Sequence, residues 1–141
     1  ASDPVHWRIS GYAVIVENGT LLTVRADYRN PSLYCFPGGG VEPEESLEEG
    51  VRRECLEELG LEVKLETRAW QVGESRFFLK DNFYHVINIY YKAVIVKQEP
   101  SKRIIEKEKE EPVWVDLKEL NENNFFPYQY DIVQMLKEMV L

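Results

Sequence analysis

A proline followed by three glycines stands at residues 37–40, directly before a segment rich in glutamate. Proline fixes one backbone dihedral, whereas glycine adopts conformations that other residues avoid. We therefore expect residues 36–40 to form an irregular turn rather than a regular element. Because glycine also lets the backbone approach a ligand closely, the segment that follows is the first place to look for a functional site.

This following segment is predicted to be a helix over residues 46–59. Ser46 and Glu49 have the spacing of a capping box, and Gly60 is a suitable residue for the C-terminal cap. Between these caps, apolar residues recur every four positions: Leu47, Val51, Cys55 and Leu59. A single apolar stripe of this kind predicts a helix that packs on the protein with one face.

Short β-strands are predicted on both sides of this helix. A strand over residues 8–17 and its return over 21–25 are joined by the hairpin turn Asn18-Gly19. Further elements are predicted as strands at 62–66, 69–74, 83–96 and 112–116 and as a helix at 131–141. The length fits one domain, residues 1–141, of the α/β or α+β class, in which helices cover a mixed sheet.

The composition limits the partners of the chain. Its net charge of −8 argues against binding to duplex nucleic acid, which normally requires a basic face. No apolar run approaches the ~20 residues that a membrane-spanning helix needs, and the first residues do not resemble a signal peptide. Two cysteines, Cys35 and Cys55, are too few for a disulfide framework. We therefore expect a cytoplasmic protein that binds neither a membrane nor a DNA duplex.

Three glutamates of the predicted helix, Glu54, Glu57 and Glu58, stand at i, i+3 and i+4 and gather on one side. In a concave setting, at ~5 Å and an effective dielectric of ~20, each pair would repel by about 3 kcal/mol. Several carboxylates at this distance suit a hard cation such as Mg²⁺ or Mn²⁺, which also binds phosphate oxygens. Acidic runs on helices are more often solvated faces, so the cluster by itself leaves both interpretations open.

The spacing of residues 39–61 is similar to the signature of a known family. Gly39 is followed after five residues by Glu45, and after seven more by the run Arg53-Glu54-Cys55-Leu56-Glu57-Glu58-Leu59-Gly60-Leu61. This pattern resembles the Nudix box, with a cysteine at position 55 where an aliphatic residue is commoner. The late Trp114-Val115-Asp116-Leu117 is also similar to the family's layout, so the resemblance covers most of residues 10–140.

The resemblance implies the Nudix fold, an α/β/α sandwich around a mixed β-sheet. It also implies a hydrolase that cleaves a phosphoanhydride bond in a nucleoside diphosphate linked to another moiety, with Mg²⁺ or Mn²⁺ as cofactor. The substrate would be a nucleotide or a nucleotide-sugar. Two alternatives stay open: a MutT-like nucleoside triphosphate pyrophosphohydrolase, and a non-catalytic Nudix-fold module that senses a nucleotide. A homodimer is expected only by analogy with the fold family.

Carried over residue by residue, the resemblance implies these metal ligands: Glu54, Glu57 and Glu58, with the carbonyl of Gly39 or of Gly40. It implies that Arg53 holds the glutamates in position and that Glu45 fixes the loop by hydrogen bonding. The general base is implied to be Glu57 or Glu58, or else a glutamate before the last strand. For the latter position we select Glu108, because of its offset from Trp114.

Substrate contacts are predicted outside the box. Arg25 and Arg29, at the end of the first hairpin and in the following loop, are candidates for phosphate binding. Phe126 and Tyr130 belong to an aromatic segment that resembles the region where MutT-like enzymes contact the base, so they are candidates for stacking on a nucleobase. A phenylalanine-rich turn before a helix is more often part of the core, and this is the alternative for both residues.

Overall fold

The protein is described from a computed structural model, which describes residues 5–26, 33–104 and 112–140. In chain order the elements are β1 (Val5–Val14), β2 (Val16–Glu17), β3 (Thr20–Ala26), β4 (Leu33–Cys35), β5 (Gly38–Gly40), α1 (Leu47–Leu59), β6 (Leu61–Leu65), β7 (Gln71–Leu79), β8 (Asn82–Gln98), β9 (Val113–Asp116) and α2 (Tyr130–Val140). Single turns of 3₁₀ helix lie at Pro100–Lys102, Leu117–Glu119 and Pro127–Gln129.

The strands form two sheets. The larger has the order β5-β1-β8-β6, and β7 also pairs with β8. Strands β1 and β8 are parallel, while the other pairs in this sheet are antiparallel. The smaller sheet has the order β2-β3-β4, and β9 also pairs antiparallel with β3. The predicted mixed sheet is therefore confirmed.

Each face of the larger sheet is covered by one helix. Side chains alternate along β1, so Ala13 packs toward α1 in one apolar cluster and Val14 packs toward α2 in a second. Val51 and Cys55 anchor α1, and both are fully buried. The helices thus lie on opposite faces, which confirms the α/β/α sandwich.

The caps of α1 are those that the sequence predicts. The Ser46 side chain accepts a hydrogen bond from the Glu49 amide, and the Glu49 carboxylate accepts one from the Ser46 amide. Gly60 ends the helix in the left-handed region, with φ 65°. These caps fix the helix boundaries to within one turn and thereby fix the direction in which its glutamates point.

The expectation of an irregular turn at residues 36–40 is wrong for its second half. Gly38–Gly40 form strand β5, which pairs antiparallel with Ser10–Tyr12 of β1. A Cβ atom on Gly38 would lie 2.1 Å from the Gly11 carbonyl oxygen, and the φ of Gly38 is 144°. Glycine is needed here because two backbones approach too closely for any side chain, so the glycines form a strand rather than a bend.

Strand β7 is longer than the predicted 69–74 and continues to Leu79. It is joined to β8 by Lys80 and Asp81, both of which have positive φ. Such tight turns normally carry Asn-Gly, Asp-Gly or Gly-Gly, and the pair Lys80-Asp81 therefore gave no hairpin signal in the sequence. Neither helix of the described chain has the length and apolar character needed to cross a membrane.

Candidate functional site

Arg53 is the centre of a hydrogen-bonded cluster on the polar side of α1. Its Nε and Nη2 atoms donate to the two carboxylate oxygens of Glu45, at 3.0 and 2.8 Å. Its Nη1 atom donates to Glu54 at 3.2 Å and to Glu57 at 3.1 Å. A third direction is used by Nη2, which donates to the Gly40 carbonyl at 3.2 Å. One guanidinium therefore ties two helix glutamates to the loop glutamate and to β5.

The glycine strand β5 also contacts this cluster, through Gly38 and Gly39. The Gly38 amide donates to Oε1 of Glu58 at 2.6 Å. The Glu54 carboxylate packs against Gly39, where an added Cβ would lie 3.2 Å from Oε1. Glu58 is only 5% exposed, and a charged group at this depth needs close hydrogen-bond donors or a cation. The glutamates of α1 thus turn toward β5 rather than into bulk solvent.

Hydrogen bonding and charge shift the pKa values of this cluster. Hydrogen bonds from Arg53 and from the Glu42 amide lower the pKa of Glu45 to about 2. The same contact with Glu45, together with the charges of Glu54 and Glu57, raises the pKa of Arg53 above its usual value. The Cys55 thiol has a raised pKa because it is buried beside Glu58 and Glu54. Cys55 is therefore a packing residue and not a reactive thiol.

Two clefts lie on either side of Gly40. The first, which we call the aromatic cleft, has a volume of about 220 Å³. Its walls are formed by Arg8, Ser10, Tyr12, Gly40, Ser75, Phe77, Leu79, Tyr84, Val86, Asn88 and Phe126. The second, which we call the Trp7 cleft, has a volume of about 620 Å³ and is lined by Trp7, Arg8, Ile9, Gly40, Val41, Glu42, Pro43, Glu45 and Leu47. Both clefts adjoin the Arg53 cluster through Gly40.

A row of rings forms one wall of the aromatic cleft. Tyr84 stacks beside His6 at 4.9 Å and beside Phe77 at 5.6 Å between ring centroids. Phe77 continues the row to Tyr128 at 6.4 Å. The Arg8 guanidinium lies 4.8 Å from the Tyr84 ring centroid, which is the geometry of a cation–π contact. Because the rings stack on one another, this wall presents their apolar edges to the cleft, with one positive charge at its rim.

The predicted substrate residues are placed in different parts of the molecule. Phe126 lines the aromatic cleft. Arg25 lies over the Tyr34 ring at 4.5 Å, and Tyr130 starts α2 with the Lys137 ammonium 5.9 Å from its ring centroid. Neither belongs to the walls of the two clefts described above. Arg29 and Glu108 lie outside the described residues.

Sequence reasoning missed the polar floor of the aromatic cleft. Ser10, Ser75 and Asn88 come from three different strands and are all more than nine-tenths buried. The signal was present at Asn88, which interrupts the apolar run from Val86 to Ile89 at an inward position of β8. A polar side chain at a core position of a strand requires a partner, and sequence alone does not supply it.

Comparison with known proteins identifies the family. The family model described as NUDIX domain matches residues 6–136. The chain therefore belongs to the Nudix family.

A relative of known sequence agrees with this assignment. The chain is 34% identical over 106 residues to the bovine (Bos taurus) m7GpppN-mRNA hydrolase NUDT17, covering 67% of this chain and 34% of that protein. It thus spans about a third of the length of this relative.

Solved structures resemble the fold. A MutT protein from Methanosarcina mazei Go1 is 28% identical, with a TM-score of 0.70 over 98% of each chain. A Nudix hydrolase from Nitrosomonas europaea is 19% identical, with a TM-score of 0.75 over 94% of this chain and 89% of that chain. The second likeness bears on the fold alone.

The family implies a divalent cation, and the residues of the cluster fit one. Four carboxylates surround Arg53 and β5, and their donor atoms are all oxygens, which hard divalent cations prefer. Within residues 5–26, 33–104 and 112–140, no three acidic, histidine or cysteine side chains already have the arrangement of a metal site. Arg53 bridges Glu54 and Glu57, so we expect these side chains to rearrange when a cation binds.

Proposed function

We propose that this chain hydrolyses a phosphoanhydride bond in a nucleoside diphosphate linked to another moiety. The observation that carries the proposal is the convergence of the α1 carboxylates on the glycine strand. Glu54 packs on Gly39, and Glu58 accepts a hydrogen bond from the Gly38 amide. This arrangement opens, through Gly40, into two clefts that can take the two halves of such a substrate.

The roles follow from the position of each side chain. Glu54, Glu57 and Glu58, with the Gly39 carbonyl, would hold Mg²⁺ or Mn²⁺. Arg53 is a positioning residue, because its charge-assisted hydrogen bonds orient Glu54 and Glu57. Glu45 in turn fixes the Arg53 guanidinium. When bound, divalent cations neutralise a diphosphate and lower the pKa of an attacking water.

A carboxylate must accept the proton of that water. Glu57 is a good candidate because it is more exposed than Glu58 and is held by a single contact with Arg53. Glu58 and Glu108 remain alternatives. Comparing the pH dependence of kcat in Glu57→Gln and Glu108→Gln, each at saturating Mg²⁺ so that loss of a metal ligand is compensated, distinguishes the two positions, since loss of the base removes the acidic limb of the profile.

The moiety linked to the diphosphate can belong to one of several chemical classes. The bovine relative is named as a hydrolase of m7GpppN-mRNA, in which a polyphosphate joins two nucleosides. The archaeal structure is named as a MutT protein, which favours the triphosphate alternative. A panel of nucleoside triphosphates, dinucleoside polyphosphates and nucleotide-sugars, assayed with Mg²⁺ and with Mn²⁺, separates these classes by their products. Pyrophosphate release indicates the MutT-like reaction, and two phosphorylated fragments indicate the proposed one.

The proposal is tested by Glu58→Gln, which keeps the size of the side chain and removes its charge. We expect turnover to fall by about 10²-fold or more, with an unchanged circular dichroism spectrum. Glu122→Gln is the control, because Glu122 is exposed and lies outside both clefts. Near wild-type turnover of Glu58→Gln contradicts the assignment. Nucleotide binding by wild-type protein without turnover of any substrate would instead support the sensor alternative.

Four further expectations belong to this proposal. Residues 1–141 are proposed to act as one domain, in a cytoplasmic setting that suits the two cysteines. The partners are proposed to be small nucleotides rather than duplex nucleic acid, because the net charge is −8. A homodimer is proposed by analogy, and sedimentation analysis of the purified protein tests it directly.

A further inference from the structure

Asn88 and Ser75 form a buried polar pair at the floor of the aromatic cleft. The Asn88 side-chain amide donates from Nδ2 to the Ser75 hydroxyl at 2.8 Å. Asn88 is 2% exposed and Ser75 is 5% exposed, yet both contribute to the cleft wall. Burying an amide costs free energy unless its polar atoms are hydrogen-bonded. The pair therefore costs more free energy of folding than an apolar residue would cost at the same position of the sheet.

The pair keeps hydrogen-bonding capacity for a ligand. No described residue donates a hydrogen bond to Oδ1 of Asn88, and the second hydrogen of Nδ2 is also unused by the described part of the chain. Ser10 lies beside them, 7% exposed, and its hydroxyl makes no hydrogen bond to a described side chain. An amide with an open acceptor and an open donor matches the edge of a nucleobase.

The rest of the cleft suits one flat ring. Its volume of about 220 Å³ is below the roughly 300–1,000 Å³ of pockets that take drug-sized ligands. Tyr84 and Phe77 supply the apolar wall, and an aromatic ring that meets their edges gains an edge-to-face contact. The Arg8 guanidinium lies at the rim, over the Tyr84 ring. A cation–π contact positions this group but leaves its N–H donors able to bind a phosphate or ribose oxygen.

The cleft also has the right position relative to the acidic cluster. Gly40 lines the cleft and pairs with Ser10 across the β1–β5 ladder. The carbonyl of Gly40 accepts a hydrogen bond from Arg53. A base seated on the polar floor would therefore direct its phosphates over Gly40 toward α1.

We propose that Asn88 is a specificity-determining residue, whose amide, oriented by Ser75, pairs with the edge of an adenine base that packs against the ring edges of Tyr84 and Phe77. This inference rests on the proposed function and adds to it the class of base. With Nδ2 bound to Ser75, Oδ1 accepts from the exocyclic amine of adenine and the second Nδ2 hydrogen donates to a ring nitrogen. Hypoxanthine presents a carbonyl at the position of that amine and leaves Oδ1 without a donor.

The test measures binding separately from hydrolysis. We titrate the full chain calorimetrically with AMP and with IMP, which differ at the position-6 group and the adjacent ring proton, in buffer with Mg²⁺. Wild-type protein is expected to bind AMP roughly tenfold more tightly than IMP, because an unpaired buried acceptor costs that much. In Asn88→Leu, this preference is expected to fall to within about twofold. Ser75→Ala is expected to reduce the preference without removing the contact of the base with the aromatic wall.

The control is Thr23→Val. Thr23 is equally buried and its hydroxyl donates to the Val113 carbonyl, but it lies outside both clefts. It loses a buried hydrogen bond and must keep the AMP preference of wild type. If Asn88→Leu does not fold, the test is made with Ser75→Ala. Its thermal midpoint is compared with that of Thr23→Val, so that any difference in AMP preference is read at similar stability.

Equal affinity of wild-type protein for AMP and IMP overturns the inference, as does an unchanged preference in Asn88→Leu or, where that variant does not fold, in Ser75→Ala. Absence of binding to both nucleotides at millimolar concentration also overturns it. Hydrolysis is measured in the same preparations. A chain that prefers AMP but hydrolyses no substrate leaves this inference standing and contradicts the proposed function. A chain that hydrolyses its substrate but binds AMP and IMP equally contradicts this inference and leaves the proposed function standing.

Discussion

The two helices cover opposite faces of one sheet, yet they use their polar surfaces differently. In α2, Ile132 and Leu136 are buried, while the charged Asp131 and Glu138 are exposed. In α1 the polar side turns back onto the protein, where Arg53 joins the glutamates and Glu58 is itself buried. The first pattern is sufficient for a helix that only packs. The second places charge where it must be neutralised, and such placement is typical of a functional site.

The difference predicts which helix can be substituted without loss of function. A helix that only packs affects activity by changing the fraction of molecules that are folded. A helix whose polar face is held against a strand also affects activity through the positions of its glutamate side chains. Substitutions in α2 should therefore change stability, and substitutions on the polar side of α1 should change turnover.

The largest effect is expected from Leu136→Ala in α2. Leu136 is 4% exposed in the apolar cluster under α2, and a leucine truncated in a core costs about 2–5 kcal/mol. Chemical denaturation should show this loss in the free energy of unfolding. Activity per folded molecule should equal that of wild type. A selective loss of kcat at full folding would break the comparison between the helices.

A smaller effect is expected from Arg53→Met in α1. This variant keeps an unbranched chain up to the level of Nε but removes the donors that hold Glu45, Glu54 and Glu57. Loss of a residue that orients metal ligands typically costs about 10–100-fold in activity or metal affinity. We expect kcat/KM at saturating Mg²⁺ to fall within this range. Lys137→Met in α2 is the matched control, because Lys137 contacts the Leu120 carbonyl and the Tyr130 ring, and it should keep full activity.

The smallest effect is expected from Glu49→Gln at the start of α1, and it depends on pH. Hydrogen bonds from Ser46 lower the pKa of Glu49 below its ordinary value of 4.5. A lowered pKa means that the carboxylate stabilises the fold above pH 4.5 and that this contribution is lost as pH falls through the folded-state pKa. Wild type should therefore be more stable than Glu49→Gln at pH 7, with the two converging once the pH falls below the folded-state pKa of Glu49. A difference in stability that does not change with pH contradicts the assigned capping box.

The helix-forming parts of the fold were predictable because their determinants are local. The capping pair Ser46 and Glu49, the four-residue apolar spacing and Gly60 all lie within one turn of the elements that they define. The hairpin at Asn18-Gly19 is local in the same sense. The end of β7 was not predictable in this way, because Lys80 and Asp81 adopt positive φ without the residues that usually signal it.

The glycine segment shows where local reasoning fails. Three glycines are compatible with a bend and with a strand, and only the approach of Gly38 to Gly11 decides between them. The contact is made by residues 27 positions apart, so no local pattern contains it. The strand in turn provides the amide that holds Glu58.

The sequence by itself determined the acidic helix, its limits and its likeness to the Nudix box, since each depends on the spacing of neighbouring residues. The tertiary structure decided that the glutamates face a strand, that one guanidinium organises them, and that Ser10, Ser75 and Asn88 share a floor. The physical reason is that these contacts depend on strand pairing and helix packing, which join distant parts of the chain through free energy that no short segment carries alone.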